Sequence, residues 1–200
     1  MENNVLENAV MLLSRLQGIG PKSARRIMLD LVKKKETLLN PLITVLDSLS
    51  KDIVYCKNCF NIDVADLCYI CASSSRNQNL LCVVEDVSAL WAIEKTQSYN
   101  GLYFVLGGTL SAFKGINPKD LHIDLLVSKI NQSSNITELL IATSSNIEGQ
   151  ITANYIIDNI NNHSVKISML AKGIPVGGEL DYLDDITLST AIKMRLNIKD

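Results

Sequence analysis

The sequence predicts a multidomain α+β protein. It should have a helical front end, a four-cysteine metal knuckle, an α/β domain with a mainly parallel sheet and a short C-terminal helical segment. Three observations predict this. Apolar residues recur at helical spacing through residues 5–50, and two Cys-x-x-Cys pairs follow, eight residues apart. Beyond them, apolar runs of strand length alternate with helical stretches, the pattern of helices packed on the faces of a parallel sheet.

Val5, Leu6, Ala9, Val10, Leu13 and Leu16 form the first apolar stripe, which stops at Gln17-Gly18-Ile19-Gly20. Pro21 restarts a helix, because proline at the first helical position gives up an N–H that had no partner there. Ile27, Met28 and Leu31 face inward on that second helix. Asn40-Pro41 repeats the start signal, and Leu42, Val45, Leu46 and Leu49 supply a third stripe. Residues 54–77 carry cysteines among polar and small residues, without sustained periodicity. Strands are then predicted at 80–84, 102–106, 139–142 and 165–170, and helices at 88–95, 121–130, 148–160 and 187–196. The expected divisions are residues 1–53, 54–77, 78–174 and 175–200.

Two hundred residues, 47% hydrophobic and 20% charged, suffice for a real core. An aromatic content of 5% argues against a base-stacking platform of many rings, and 19 basic against 21 acidic residues argue against a uniformly basic coat. The charge is uneven: residues 1–60 hold nine Lys/Arg and six Asp/Glu, so the front is positive and the rest negative. The longest uncharged run, 96–113, contains polar residues and three glycines unsuited to a membrane span. The opening Met1-Glu2-Asn3-Asn4 has no basic, apolar leader pattern, so a cytoplasmic chain is expected.

Gln17-Gly18-Ile19-Gly20-Pro21-Lys22 joins two helices by a hairpin whose glycines permit positive φ and close backbone approach. The free N–H groups opening the second helix suit a phosphate. Lys22, Arg25 and Arg26 follow within a turn and a half, and from Arg15 to Lys35 seven basic residues face one acid, Asp30. Sequence-independent binding to the DNA backbone is expected of Gly18, Gly20, Lys22, Arg25 and Arg26. A solvated basic helix face is the plainer alternative.

Cys56-x-x-Cys59 and Cys68-x-x-Cys71 supply four thiolates, and two such pairs complete a tetrahedron around one structural Zn²⁺ with no open position. Redox dithiols are the competing reading. Cys82 lies inside a predicted strand and reads as a small core residue.

Glu85 closes the first long strand, and Glu148 follows the third strand through Thr143-Ser144-Ser145-Asn146-Ile147. The carboxyl ends of parallel strands face the ligand crevice, which would suit these acids to a divalent cation or a basic partner. Asp181, Asp184 and Asp185 precede the last helix and read equally as capping acids. His122 and His163 have no partner pattern, and no nucleophile motif, phosphate-loop lysine or dinucleotide fingerprint is present.

The order of these parts resembles the bacterial RecR family of recombination mediators. The resemblance rests on residues 16–24, the spacing of the four cysteines and Leu81-Cys82-Val83-Val84-Glu85. It continues through Gly101-Leu102-Tyr103, Val105-Leu106-Gly107-Gly108 and residues 116–121 followed by Ile123, and closes with Gly173-Ile174-Pro175-Val176-Gly177-Gly178. It implies a helix–hairpin–helix DNA-binding region, a four-cysteine zinc finger and a Toprim domain in a protein of recombinational DNA repair. It implies RecO and RecF as partners, a ring-shaped homotetramer that can encircle DNA, and help in loading recombinase onto single strands. Lys22 and Arg26 match hairpin positions implicated in DNA binding, and Glu148 lies in the Toprim region implicated in contact with RecO. Toprim enzymes pair a glutamate with a later Asp-x-Asp. Glu85 fits the first, but residues 143–150 contain no Asp-x-Asp, and Gln150 stands where many relatives carry an acid. The expected function is therefore non-enzymatic. A Mg²⁺-dependent nuclease or primase-like enzyme using Glu85, Glu148 and the Asp181–Asp185 group is the rival.

Overall fold

The computed structural model describes residues 5–195 except 172 and 176. Val176 and the final residue of the expected closing helix, Leu196, lie outside the described residues, as does the opening tetrapeptide. The chain forms two compact units, the first ending at Ile53 and the second beginning at Val54.

The first unit contains α1 (Val5–Ser14), α2 (Pro21–Lys33) and α3 (Asn40–Asp52). The stripes select these helices, and Pro21 and Pro41 sit in their first turns as expected. One difference is local. Lys35–Leu39 forms a π-helical turn that carries α2 towards α3 without a loop, with Leu39 N–H donating to the Lys34 carbonyl at 3.2 Å. Among the described residues of this unit only Ala24 and Leu31 are buried; Ile27 and Met28 are half-buried. The third stripe of Leu42, Val45, Leu46 and Leu49 is exposed along its whole length.

The second unit opens with a short antiparallel pair, β1 (Val54–Tyr55) with β2 (Ile62–Asp63), followed by the single turn α4 (Tyr69–Ala72). Then come β3 (Asn77–Val84), α5 (Val87–Lys95), β4 (Gly101–Val105), α6 (Ile123–Gln132), β5 (Glu138–Ala142), α7 (Ile147–Asn159) and β6 (Lys166–Met169). The last element is α8 (Asp185–Lys193), capped by Asp184, whose carboxylate accepts from the Ile186 and Thr187 amides. Strands β3 to β6 form one parallel sheet in the order β4-β3-β5-β6.

Leu80 to Val84 of β3 and Leu102 to Val105 of β4 read as unbroken apolar runs because helices cover the sheet. All five residues of β4 are buried, as are Leu81 to Val84 of β3. Leu90 of α5, Ile123, Leu126 and Ile130 of α6, and Ala153 and Ile156 of α7 are buried against them. Cys82 is fully buried here, and burial pushes its thiol up to about 12, as fits a core residue. The topology places a crevice at the carboxyl ends of β3 and β5, because the chain leaves β3 towards β4 on one side and returns to β5 on the other. Among the described residues, no helix is long and apolar enough to cross a membrane.

Candidate functional site

Cys56 follows β1, and its amide donates to the Asn61 carbonyl at 2.7 Å, closing the first knuckle back on itself. Phe60 turns that knuckle at φ 62°, a left-handed conformation that is unusual for an aromatic residue. It is held there by stacking on the His122 ring, at 3.6 Å between centroids, and by edge contact with Phe104 at 5.4 Å. Cys68 precedes α4 and Cys71 lies within it, so one helical turn brings both sulfurs to the same side. The four sulfurs all lie within 4.8 Å of one another, with Cys59 Sγ and Cys68 Sγ 3.5 Å apart. Four sulfurs on a tetrahedral Zn²⁺ would stand about 3.8 Å apart, given Zn–S bonds of ~2.3 Å. Among the described residues, this is the one group of three or more metal-ligating side chains gathered so closely.

Cys56, Cys59 and Cys68 are fully buried and Cys71 half-buried. Cys59 and Cys71 share one proton between them, which pushes Cys59 well up and holds Cys71 down at about 5. A coordinating metal would displace that proton, since bound thiols are thiolates. The set fits Zn²⁺ and fills its tetrahedron, so the ion serves structure. The finger is also tied to the sheet: Val105 N–H donates to the Cys59 carbonyl at 2.8 Å, on the free edge of β4.

The hairpin ends α1 and begins α2. Gly18 adopts φ +79°, the left-handed turn that glycine permits. Gly20 differs from the expectation of positive φ: it is the extended N-cap of α2, at φ −81°, and its carbonyl accepts from Ala24 at 2.9 Å. Nothing lies within 4 Å of where a Cβ would stand at either glycine. Lys22, Arg25 and Arg26 are all exposed, and among the described residues none of them forms an ion pair. The first turn of α2 contains no acid, and its cations stand at the positive end of the helix dipole, where they oppose helix stability.

Glu85 and Glu148 share the carboxyl edge of the sheet but have separate partners. Glu85 Oε2 accepts the Ser144 amide at 3.2 Å across the β3–β5 crevice. Glu148, in the first turn of α7, accepts from Ser111 Oγ at 2.5 Å and faces Lys114 Nζ at 3.4 Å. The Ser111 bond, then Lys114, holds its carboxyl below the usual glutamate range. Beside it runs a largely apolar groove of about 560 Å³, lined by Leu110, Phe113, Ile147, Ile151 and Tyr155. Its walls are unusually open, with Phe113 98% and Ile147 78% exposed. The sequence pattern gives no sign of this groove, because its residues come from the connection between β4 and α6 and from one face of α7. His122, without a partner pattern in the sequence, binds the Val105 carbonyl through Nδ1 at 3.0 Å besides stacking on Phe60.

A four-thiolate finger clasped to the edge of a four-stranded parallel sheet with acids at its carboxyl end defines a zinc-bearing Toprim protein. Residues 79–171 match the Toprim domain model, residues 53–73 the RecR four-cysteine zinc finger domain and residues 173–195 the RecR C-terminal domain. The chain is 46% identical to Recombination protein RecR of Sphingopyxis alaskensis over 195 residues, 98% of each chain. It is 46% identical to that of Parvibaculum lavamentivorans over 190 residues, 95% of each, and 47% to that of Bartonella quintana over 193, 96% of each. The chain belongs to the RecR family of recombination proteins.

Proposed function

We propose that this chain is a non-enzymatic DNA-binding mediator of recombinational repair, acting with RecO and RecF to help load recombinase on single-stranded DNA. The observation that carries the reading is the unpaired cation group Lys22, Arg25 and Arg26 at the N-terminus of α2, beside the open backbone of Gly18 and Gly20. Phosphates would relieve the repulsion among these charges and take the free amides of the helix start, without reading base sequence. Residues 1–53 then grip DNA, 54–77 hold the zinc and stiffen the start of the second unit, and 78–174 with 175–200 serve protein contacts. Glu85 and Glu148 carry the RecO-facing surface, next to the apolar groove. The exposed stripe of α3 and the exposed Tyr182, Ile186 and Ile192 of the C-terminal segment are surfaces that further copies of the chain would cover in a ring tetramer.

Non-enzymatic action is supported by the acids themselves. Glu85 is engaged by Ser144, Glu148 by Ser111 and Lys114, and the segment 143–150 has no second acid pair to complete a two-cation site. The experiment is a salt titration of DNA binding. Lys22→Ala with Arg26→Ala should weaken binding to single- and double-stranded DNA of any sequence, and should flatten the dependence of log K on log salt by about one to two phosphate contacts. Unchanged binding at every salt concentration would remove the hairpin from the interface. Scission of labelled DNA with Mg²⁺, stopped by Glu85→Gln, would restore the enzyme.

A further inference from the structure

One amide joins helix α6 to the metal centre. Lys129 lies in the last turn of α6, half-buried, with Nζ 5.8 Å from the Phe104 ring centroid. Long lysines usually extend their ammonium to water. This one instead donates to Asn58 Oδ1 at 2.6 Å and to the Asn58 carbonyl at 3.2 Å. Asn58 sits between the ligands Cys56 and Cys59, and its Nδ2 donates to Cys71 Sγ at 3.4 Å. An ammonium has three protons and no acceptor, so the Asn58 amide must turn its oxygen to Lys129. That leaves the NH₂ aimed at the sulfur. The orientation of an amide, which its shape alone does not decide, is decided here by the lysine.

The sulfur concerned is the least buried of the four. Cys71 is half-buried, whereas the other three ligands are fully buried, so it is the ligand most open to water and to proton attack. Cys56 Sγ already takes the Cys68 amide at 3.3 Å. A donor on Cys71 and a cation behind it offset the negative charge that four thiolates leave on the centre. Burial draws the Lys129 pKa down while the nearby thiolates favour its charged form.

We propose that Lys129 is a positioning residue of the metal centre, acting through Asn58 to keep a hydrogen bond on Cys71 Sγ and so to retain the ion. The partners lie 71 positions apart in sequence, so the device couples metal retention to the docking of α6 on the finger.

The test uses the full-length, zinc-loaded chain. Zinc affinity is measured by chelator competition for the parent, Lys129→Met, Asn58→Leu and the double variant. Each single variant should bind zinc about 10- to 100-fold more weakly, and the double variant no more weakly than Asn58→Leu. Lys129→Arg, which keeps charge and donor, should stay near the parent. Cobalt-substituted Lys129→Met should keep the intensity of four thiolate ligands but show a shifted sulfur-to-metal charge-transfer band, which lost packing alone would not produce. Parental affinity and spectrum in Lys129→Met would overturn the proposal. So would an additive double variant, or a folded Lys129→Arg as weak as Lys129→Met.

Discussion

At the scale of single residues, the second unit is pinned by a few polar contacts inside apolar surroundings. Arg76 precedes β3 and grips Glu94 of α5 with both ends of its guanidinium, at 2.8 and 2.5 Å, while reaching the Tyr99 and Gly101 carbonyls. The two side chains are only 15% and 14% exposed, so the pair is little screened. The Arg76 bonds, foremost among its surroundings, hold the Glu94 carboxyl below its ordinary range. A depressed folded-state pKa contributes stability above the unfolded value of ~4.3, and loses it as pH falls through the folded value. Arg76→Met should therefore cost roughly 1.5–3 kcal/mol at neutral pH, measured by urea denaturation. The gap from the parent should narrow below about pH 4. A gap constant with pH would mean that Arg76 acts through packing alone. Gly149 is pinned differently: a Cβ there would stand 2.1 Å from the Ser144 carbonyl, so only glycine lets α7 start so close to the end of β5.

At the scale of elements, the metal finger and strand β4 form one cooperative piece. β4 is an edge of the sheet, and the Cys59 carbonyl takes the Val105 amide on that edge. Residues 54–77 build only two-residue strands and one helical turn, and several of their apolar side chains stay exposed, so the metal supplies much of their folding energy. Removing zinc with a chelator, or Cys59→Ser, should expose the Val105 amide to hydrogen exchange along with the finger, while Leu139 in the interior of β5 stays protected. Equal protection with and without zinc would separate finger from strand. Most of these elements were legible in the sequence because each is announced locally. Apolar spacing marks the helices, Pro21 and Pro41 mark their starts, and the cysteine spacing marks the finger. The π-helical turn at Lys35–Leu39 was not legible, since Lys33-Lys34-Lys35 before Asn40-Pro41 reads as one helix ending and another beginning. Nor could spacing reveal Lys129 beside Asn58, His122 on Phe60 or the groove beside Glu148. Those contacts exist only after the chain has folded residues from distant positions onto one another.

At the scale of the whole molecule, the unpaired cations and the acids beside the groove belong to different units. The positive front carries unpaired cations on α2, whereas the acids and the open groove belong to the second unit. A net charge of −2 opposes tight DNA binding by one copy, so on the proposed reading useful affinity calls for several hairpins on one DNA. The proposed division of labour makes the two surfaces separable by mutation. Glu148→Lys reverses the charge beside the groove and places a second cation against Lys114, while touching neither the four cysteines nor α2. It should lower RecO affinity by at least tenfold in a titration, leaving zinc content, DNA affinity and solution mass at parental values. Lys22→Ala with Arg26→Ala should do the reverse, weakening DNA binding with RecO affinity intact. If Glu148→Lys instead changes the solution mass, the groove belongs to an interface between copies of the chain, and the partner surface must be sought elsewhere on the sheet edge.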